Sequence, residues 1–66
     1  MNLNQLQYFL TLSKLEHYTQ AAKELKITQP SLSHAMSALE EELGTRLFEK
    51  RGRNVVLTKY GKVFQE

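Results

Sequence analysis

Apolar residues at helical spacing predict two helices near the start of the chain. The first covers residues 3 to 15, with Asn2 as its cap and an apolar face that recurs every three or four positions: Leu6, Phe9, Leu10 and Leu12. The second is short, about residues 18 to 25, and its inward candidates are Ala21, Ala22 and Leu25. The adjacent alanines lack bulk, so another helix can approach closely, and residues 26 to 28 form a turn.

A third helix has the clearest pattern. Thr28 is a good N-cap, and Pro30 falls in the first turn, where its missing N–H does no harm. At about 100° per residue, four apolar residues spaced 4, 3 and 4 apart form one narrow stripe: Leu32, Met36, Leu39 and Leu43. Gly44 is a natural stop. Two helices, a tight turn and this third helix resemble helix-turn-helix architecture.

The period changes after Gly44. Leu47–Lys50 and Asn54–Leu57 are short segments that flank Arg51-Gly52-Arg53, which predicts a small hairpin. Thr58 then caps a further helix that shows Tyr60, Val63 and Phe64. Because a two-turn helix is marginal by itself, we expect the natural chain to continue beyond Glu66. The fold class is mainly α: a three-helix winged helix-turn-helix with a two-stranded β-hairpin wing.

Composition excludes several classes of function. The 66 residues suffice for one small domain, and the chain has no cysteine for a disulfide or a thiolate metal site. His17 and His34 lie far apart without ligand-spaced carboxylates, so we expect no metal and no cofactor. No apolar run is long enough for a membrane span or signal peptide, which predicts a cytoplasmic protein with no membrane partner. We expect no enzyme, because the chain has no cysteine, no paired carboxylates in a credible pocket and no Gly-rich phosphate loop. Ser33 and His34 diverge by about 100° on a helix and so do not form a nucleophile–base pair.

Charge is distributed unevenly. Residues 1–45 hold three lysines against five glutamates, a net −2, whereas residues 46–62 hold six basic residues against Glu49, a net +5. A basic block beside a near-neutral region suggests a polyanionic partner. On charge alone, a solvated charged tail explains the block equally well.

The outer face of the third helix favours nucleic acid. Pro30, His34, Ser37 and Glu41 project opposite the leucine stripe, with Gln29 and Ser33 on one flank. No acid occurs from Thr28 to Leu39, and then residues 40 to 42 are all glutamate. A helix N-terminus suits phosphate, and Gln and Ser can hydrogen-bond base edges in the major groove. The N-terminal half should therefore enter the groove, although these positions are also compatible with plain solvent exposure.

The predicted hairpin strengthens this interpretation. Arg51 and Arg53 at its tip can reach phosphates or a narrow minor groove, where arginine is favoured, and the alternative interpretation is ordinary surface charge. Together the two features predict binding of double-stranded DNA. The alternative is a winged-helix module for protein interaction without DNA binding, in which the glutamate triplet and exposed Val63 and Phe64 face a partner protein.

The chain resembles the N-terminal domain of LysR-type transcriptional regulators along nearly its whole length. The segments that carry the resemblance are Leu6 with Phe9, Thr19–Ala22, Leu25, Thr28–Ser33, Leu39–Gly44, Leu47–Lys50, Gly52-Arg53, and Leu57-Thr58 with Gly61. The resemblance implies a bacterial transcription factor that binds promoter or operator DNA. It implies a DNA-binding domain over residues 1–58, with the helix-turn-helix at about 18–37 and the wing at about 47–57. Residues 59–66 would begin a dimerising linker helix.

Partners and site residues follow from the same resemblance. The full-length protein would be a homodimer or dimer of dimers, with a small-molecule effector bound only by a C-terminal domain that is missing here. Base contacts would come from Gln29, Pro30, Ser33, His34 and, in the minor groove, Arg53. Backbone or flank contacts would come from Tyr18, Thr19, Thr28, Ser31, Ser37, Lys50 and Arg51.

Three positions depart from the family pattern. His34 replaces the common arginine and lacks its bidentate fork to guanine, which removes the basis for a guanine preference there. His17 replaces a frequent serine cap, so we expect the second helix to be capped less well. Lys50 replaces arginine, and a pairing of its ammonium with the glutamate triplet is the slightly favoured reading.

Overall fold

Three helices form at the predicted positions. The computed structural model describes residues 2–52 and 54–65. Helix α1 spans Leu3–Leu15 and begins with a capping box in which Asn2 Oδ1 accepts from the Gln5 N–H at 2.7 Å and the Asn2 N–H donates to Gln5 Oε1 at 3.1 Å. Helix α2 spans Tyr18–Leu25 and helix α3 spans Gln29–Leu43.

Each of these helices ends at a residue in the left-handed region. Glu16 has φ 55° after α1, Lys26 has φ 60° after α2, and Gly44 has φ 71° after α3. Only Gly44 adopts this conformation without a Cβ penalty. The cap of α2 is His17, whose Nδ1 accepts from the Gln20 N–H at 3.3 Å. This bond is longer than the capping bond of α1, which agrees with the expectation of weaker capping.

The core lies where the three helices meet the base of the wing. Its buried apolar residues are Phe9, Leu12, Ala21, Ala22, Leu32, Met36, Leu39, Leu47, Phe48 and Val55. The inward placement of the two alanines is confirmed, whereas Leu25 is only partly buried. Two predictions of the apolar pattern are wrong. Leu10 is 45% exposed because it lies about 100° around α1 from buried Phe9, and Leu43 is 38% exposed as the last residue of α3.

The predicted hairpin is present with a shifted first strand. Strands β1 (Phe48–Arg51) and β2 (Asn54–Leu57) pair antiparallel, with Phe48 opposite Leu57 and Arg51 opposite Asn54. The prediction started β1 at Leu47 and placed Arg51 in the turn, and both details are wrong. The ladder begins with the pair of Phe48 and Leu57, one residue after Leu47, and Arg51 pairs within the sheet. The connection is therefore two residues long, and Gly52 has φ 61°.

Backbone hydrogen bonds hold the wing on the helices. The N–H groups of Leu47 and Phe48 both donate to Glu40 Oε2, at 2.7 and 3.1 Å, which ties the wing to the end of α3. The Val55 N–H donates to the Glu16 carbonyl at 3.0 Å, which ties it to the end of α1. The wing therefore has a fixed position relative to α3.

Helix α4 (Lys59–Gln65) starts at the predicted cap and packs back on α1. Thr58 Oγ1 accepts from the Gly61 N–H at 3.1 Å. The Phe64 ring meets Phe9 edge-on at a centroid distance of 5.0 Å. Tyr60 and Val63 stay 62% and 67% exposed. None of the helices in the described part of the chain has the length and apolar character that a membrane crossing requires.

Candidate nucleic-acid interface

The N-terminus of α3 is built by a short hydrogen-bond network. Thr28 Oγ1 accepts from the Ser31 N–H at 3.2 Å and donates to Ser31 Oγ at 2.8 Å. Pro30 occupies the first turn, where its fixed φ suits a helix start. Because Thr28 uses its proton on Ser31, the Ser31 hydroxyl keeps its own proton for an external acceptor. The first turn is thus fixed without any contribution from a ligand.

The exposed face of α3 carries every site residue that the sequence placed on this helix. Seven residues from its N-terminal half are exposed: Thr28, Gln29, Pro30, Ser31, Ser33, His34 and Ser37. Leu32 and Met36, on the opposite face, are buried. The predicted separation of polar and apolar faces is confirmed over this stretch, and the polar face has no acidic side chain before Glu40.

The start of α2 lies against the start of α3. The Thr19 hydroxyl donates to Gln29 Oε1 at 3.1 Å, which joins the first turns of the two helices. A cleft of about 450 Å³ opens beside this bond and continues to the wing, and its polar lining includes Tyr18 and Lys50 together with His17, Thr19 and Gln29. The turn between the helices therefore brings Thr19 and Gln29, ten positions apart, to one surface.

A second cleft, of about 240 Å³, separates α3 from the wing. Its lining includes Ser33 and Ser37 from α3 and Lys50 from β1, and Tyr18 borders both clefts. The structure thus assembles six of the predicted site residues along two adjoining clefts: Tyr18, Thr19, Gln29, Ser33, Ser37 and Lys50. Thr28, Pro30, Ser31 and His34 are exposed on α3 without lining either one.

The two wing arginines are placed differently. Arg51 follows Lys50 in β1, so its side chain projects to the other face of the hairpin. There it forms an exposed ion pair with Glu49 at 3.2 Å and shares a cleft with Lys59 and Lys62. The site prediction for Arg53 falls outside the described residues.

The glutamate triplet is less uniform than its sequence indicates. Glu40 is partly buried and accepts two wing N–H groups, whereas Glu41 and Glu42 are exposed. The pairing of Lys50 with this triplet stays a prediction, although Lys50 and Glu40 do line the same cleft.

Arg46 is a basic residue of this surface that the site prediction missed. It is exposed and lines the cleft that contains Ser33 and Ser37. It lies in the connection between α3 and β1, outside both the helical pattern and the hairpin tip. Its membership of the basic block was the only signal in the sequence.

Tyr18 is half-buried at the junction of the two clefts. Burial raises the pKa of its phenol, the Glu40 carboxylate raises it further, and Arg46 acts in the opposite direction. The hydroxyl therefore remains protonated at neutral pH and can donate a hydrogen bond. Among the described residues, no cluster of three or more His, Asp or Glu side chains is placed to hold a metal ion.

The chain is similar in sequence to a known family of bacterial proteins. Residues 3–62 match the family model described as "Bacterial regulatory helix-turn-helix protein, lysR family". The chain is 48% identical over 64 residues to an uncharacterised HTH-type transcriptional regulator, YybE, of Bacillus subtilis, covering 97% of the chain and 22% of that protein. It is 47% identical over 66 residues to the HTH-type transcriptional regulator BudR of Klebsiella aerogenes, covering 100% of the chain and 46% of the relative.

Several solved structures superpose closely on this chain. A crystal structure of a CbnR DBD–DNA complex superposes with a TM-score of 0.94 at 37% identity, covering 98% of the chain and 75% of that one. A BenM DBD complex with benA site 1 DNA superposes with a TM-score of 0.93 at 42% identity, covering 98% and 76%. A mutant of OxyR from Corynebacterium glutamicum gives 0.93 at 42% identity, covering 97% of the chain and 20% of the OxyR chain.

Proposed function

We propose that this chain, which belongs to the lysR family of bacterial regulatory helix-turn-helix proteins, is a sequence-specific domain for binding double-stranded DNA in a transcriptional regulator. The observation that carries the proposal is the exposed, acid-free N-terminal half of α3, with its first turn fixed by Thr28 and two clefts beside it that Lys50 lines. The similar CbnR and BenM domains were solved as DNA complexes. The relatives YybE and BudR are both named as HTH-type transcriptional regulators.

The first two turns of α3 enter the major groove. Gln29, Ser33 and His34 are exposed and have the hydrogen-bonding groups that base edges require, and Pro30 offers an apolar contact. His34 can bond a base through one ring nitrogen but does not give the two-pronged contact of an arginine. Glu41, exposed one turn beyond Ser37, would be repelled by phosphates and stays outside the groove.

Phosphates are held by groups around the clefts. The Tyr18 and Thr19 N–H groups precede the first intrahelical bond of α2, and Lys50 lines the same cleft as these two residues. The Tyr18 hydroxyl, Arg46 and the Ser31 hydroxyl supply further donors, with Thr28 and Ser37 on the flanks. Such contacts fix the register of a protein on DNA without reading its sequence.

The wing supplies further contacts to the DNA. Its hydrogen bonds to α1 and α3 hold the hairpin beside the recognition face. Arg53 would enter the minor groove, as the family resemblance implies, and Arg51 with Lys59 and Lys62 would face the backbone next to it.

The larger protein is also a matter of proposal. The chain spans 22% of the YybE relative and 46% of the BudR relative. We assign residues 1–58 to the DNA-binding domain and 59–66 to the start of a linker helix that pairs subunits through its exposed Tyr60 and Val63. An effector domain would follow in the whole protein, which acts on promoter DNA in the bacterial cytoplasm.

Selection from a randomised duplex library, followed by titration of the selected site, tests the proposal. Gln29→Ala should weaken binding to that site by about 1–3 kcal/mol, whereas Gln7→Ala, an exposed control on α1, should not. Affinity should fall steeply between two salt concentrations, because phosphate contacts release counterions. No enriched sequence and a flat salt response would reject DNA binding in favour of a protein-interaction module.

A further inference from the structure

The bond between Thr19 and Gln29 orients the residue that leads α3 into the groove. The Thr19 hydroxyl donates to the Gln29 amide oxygen at 3.1 Å, although both side chains are exposed. The two residues come from different helices, so the bond is not a by-product of helix geometry. Among the residues that the structure describes, none accepts a hydrogen bond from the amide nitrogen of Gln29.

We propose that Thr19 is a positioning residue for base recognition, which turns the Gln29 amide so that its N–H donors face the DNA. This inference rests on the proposed function. A glutamine amide has one acceptor oxygen and two N–H donors on its nitrogen. With the oxygen held by Thr19, the side chain presents donors to the groove before DNA arrives, and the entropy of choosing between two amide orientations is already lost.

This orientation selects a class of base edge. A glutamine that is free to rotate pairs with adenine by using its oxygen and its nitrogen together. Thr19 already occupies one lone pair of the Gln29 oxygen, so the side chain meets a base edge mainly through its N–H donors, and guanine offers these donors two acceptors, N7 and O6. Thymine and adenine each offer one acceptor, O4 and N7, and cytosine offers only an N–H donor. At the base that it contacts, Gln29 should therefore favour guanine most and cytosine least.

Two substitutions separate the hydroxyl from the bulk of Thr19. Thr19→Val keeps the shape and removes the donor, and Thr19→Ser keeps the donor. Wild type and both variants are taken through the same selection from randomised duplexes, and the base pair read by Gln29 is located by the loss of preference in Gln29→Ala. Thr19→Val should lower the discrimination at this base pair by about fivefold, the fold-change that one neutral hydrogen bond provides. Thr19→Ser should keep it.

An NMR spectrum of the DNA-free chain reports the environment of the Gln29 side-chain amide directly. The side-chain amide signals of Gln29 should move in Thr19→Val and stay in place in Thr19→Ser, while the backbone spectrum reports that both variants are folded. Preferences in Thr19→Val that match wild type at every base pair would overturn the inference, as would an equal loss at all of them. Failure of wild type to enrich any sequence would instead reject the proposed function itself.

Discussion

Replacing Glu40 with alanine should loosen the wing from the end of α3. One carboxylate oxygen, Oε2, accepts the N–H groups of both Leu47 and Phe48, at 2.7 and 3.1 Å. Leu47 and Phe48 are buried at 1% and 4% exposure, so water replaces these bonds poorly. The substitution leaves two backbone donors without their partner at the point where the chain leaves the helices for the hairpin.

The magnitude follows from the type of bond. A hydrogen bond to a charged group contributes roughly 1.5–3 kcal/mol, and two bonds to one oxygen are not fully additive. We therefore expect Glu40→Ala to lower the free energy of unfolding by about 2–4 kcal/mol, a large fraction of the stability of so small a domain. Glu40→Gln keeps an acceptor oxygen and loses the charge, so it should cost about 1 kcal/mol.

Urea denaturation measures the loss, and amide hydrogen exchange locates it. Exchange should accelerate most at Leu47 and Phe48. Glu41→Ala is the matched control, because it removes the same charge from an exposed position one residue away. If Glu41→Ala and Glu40→Ala destabilise the chain equally, net charge and not the wing contact is responsible, and the reasoning is refuted.

Three further changes test other parts of the structure. Gly61→Ala should destabilise the chain by about 1–3 kcal/mol in thermal melts, because the added Cβ would overlap the Leu47 carbonyl oxygen; a neutral effect would contradict this close approach. His17→Ser should stabilise α2 by about 0.5 kcal/mol, since serine is a better N-cap, and an unchanged melting temperature would argue against it. Burial raises the pKa of Tyr18, so the neutral phenol contributes to the stability of the fold below about pH 10, and this contribution is lost as the pH rises through the folded pKa. The free energy of unfolding should therefore fall less steeply at alkaline pH in Tyr18→Phe than in wild type, and identical profiles would contradict the assignment.

The helices could be predicted because their signals are local. Capping residues and apolar spacing lie within a few positions of each other, and the bounds Leu3–Leu15, Tyr18–Leu25 and Gln29–Leu43 agree with the pattern. The errors in the apolar pattern lie at the edge of one helix face and at the end of another helix. Leu10 and Leu43 fit the apolar pattern, but they lie on the rim of the packed region and remain partly exposed.

Contacts between distant segments could not be predicted. The roles of Glu40, as an acceptor for the wing, and of Thr19, as a donor to Gln29, depend on partners seven and ten positions away. In the sequence, Glu40 is indistinguishable from Glu41. Arg46 was missed for the same reason, since only the fold brings it beside Ser33. The exposed face of α3, by contrast, is a local property, and the sequence did predict it.

Mapping DNA contacts on the chain by amide chemical shifts tests the central claim most directly. The labelled chain is titrated with its selected duplex, and the perturbation of each residue is recorded. We expect the largest changes from Thr28 to Ser37, with further changes at Tyr18 and Lys50 and little change at Glu41. Changes concentrated on Tyr60 and Val63 of α4, with α3 unaffected, would contradict the claim that the first two turns of α3 enter the groove.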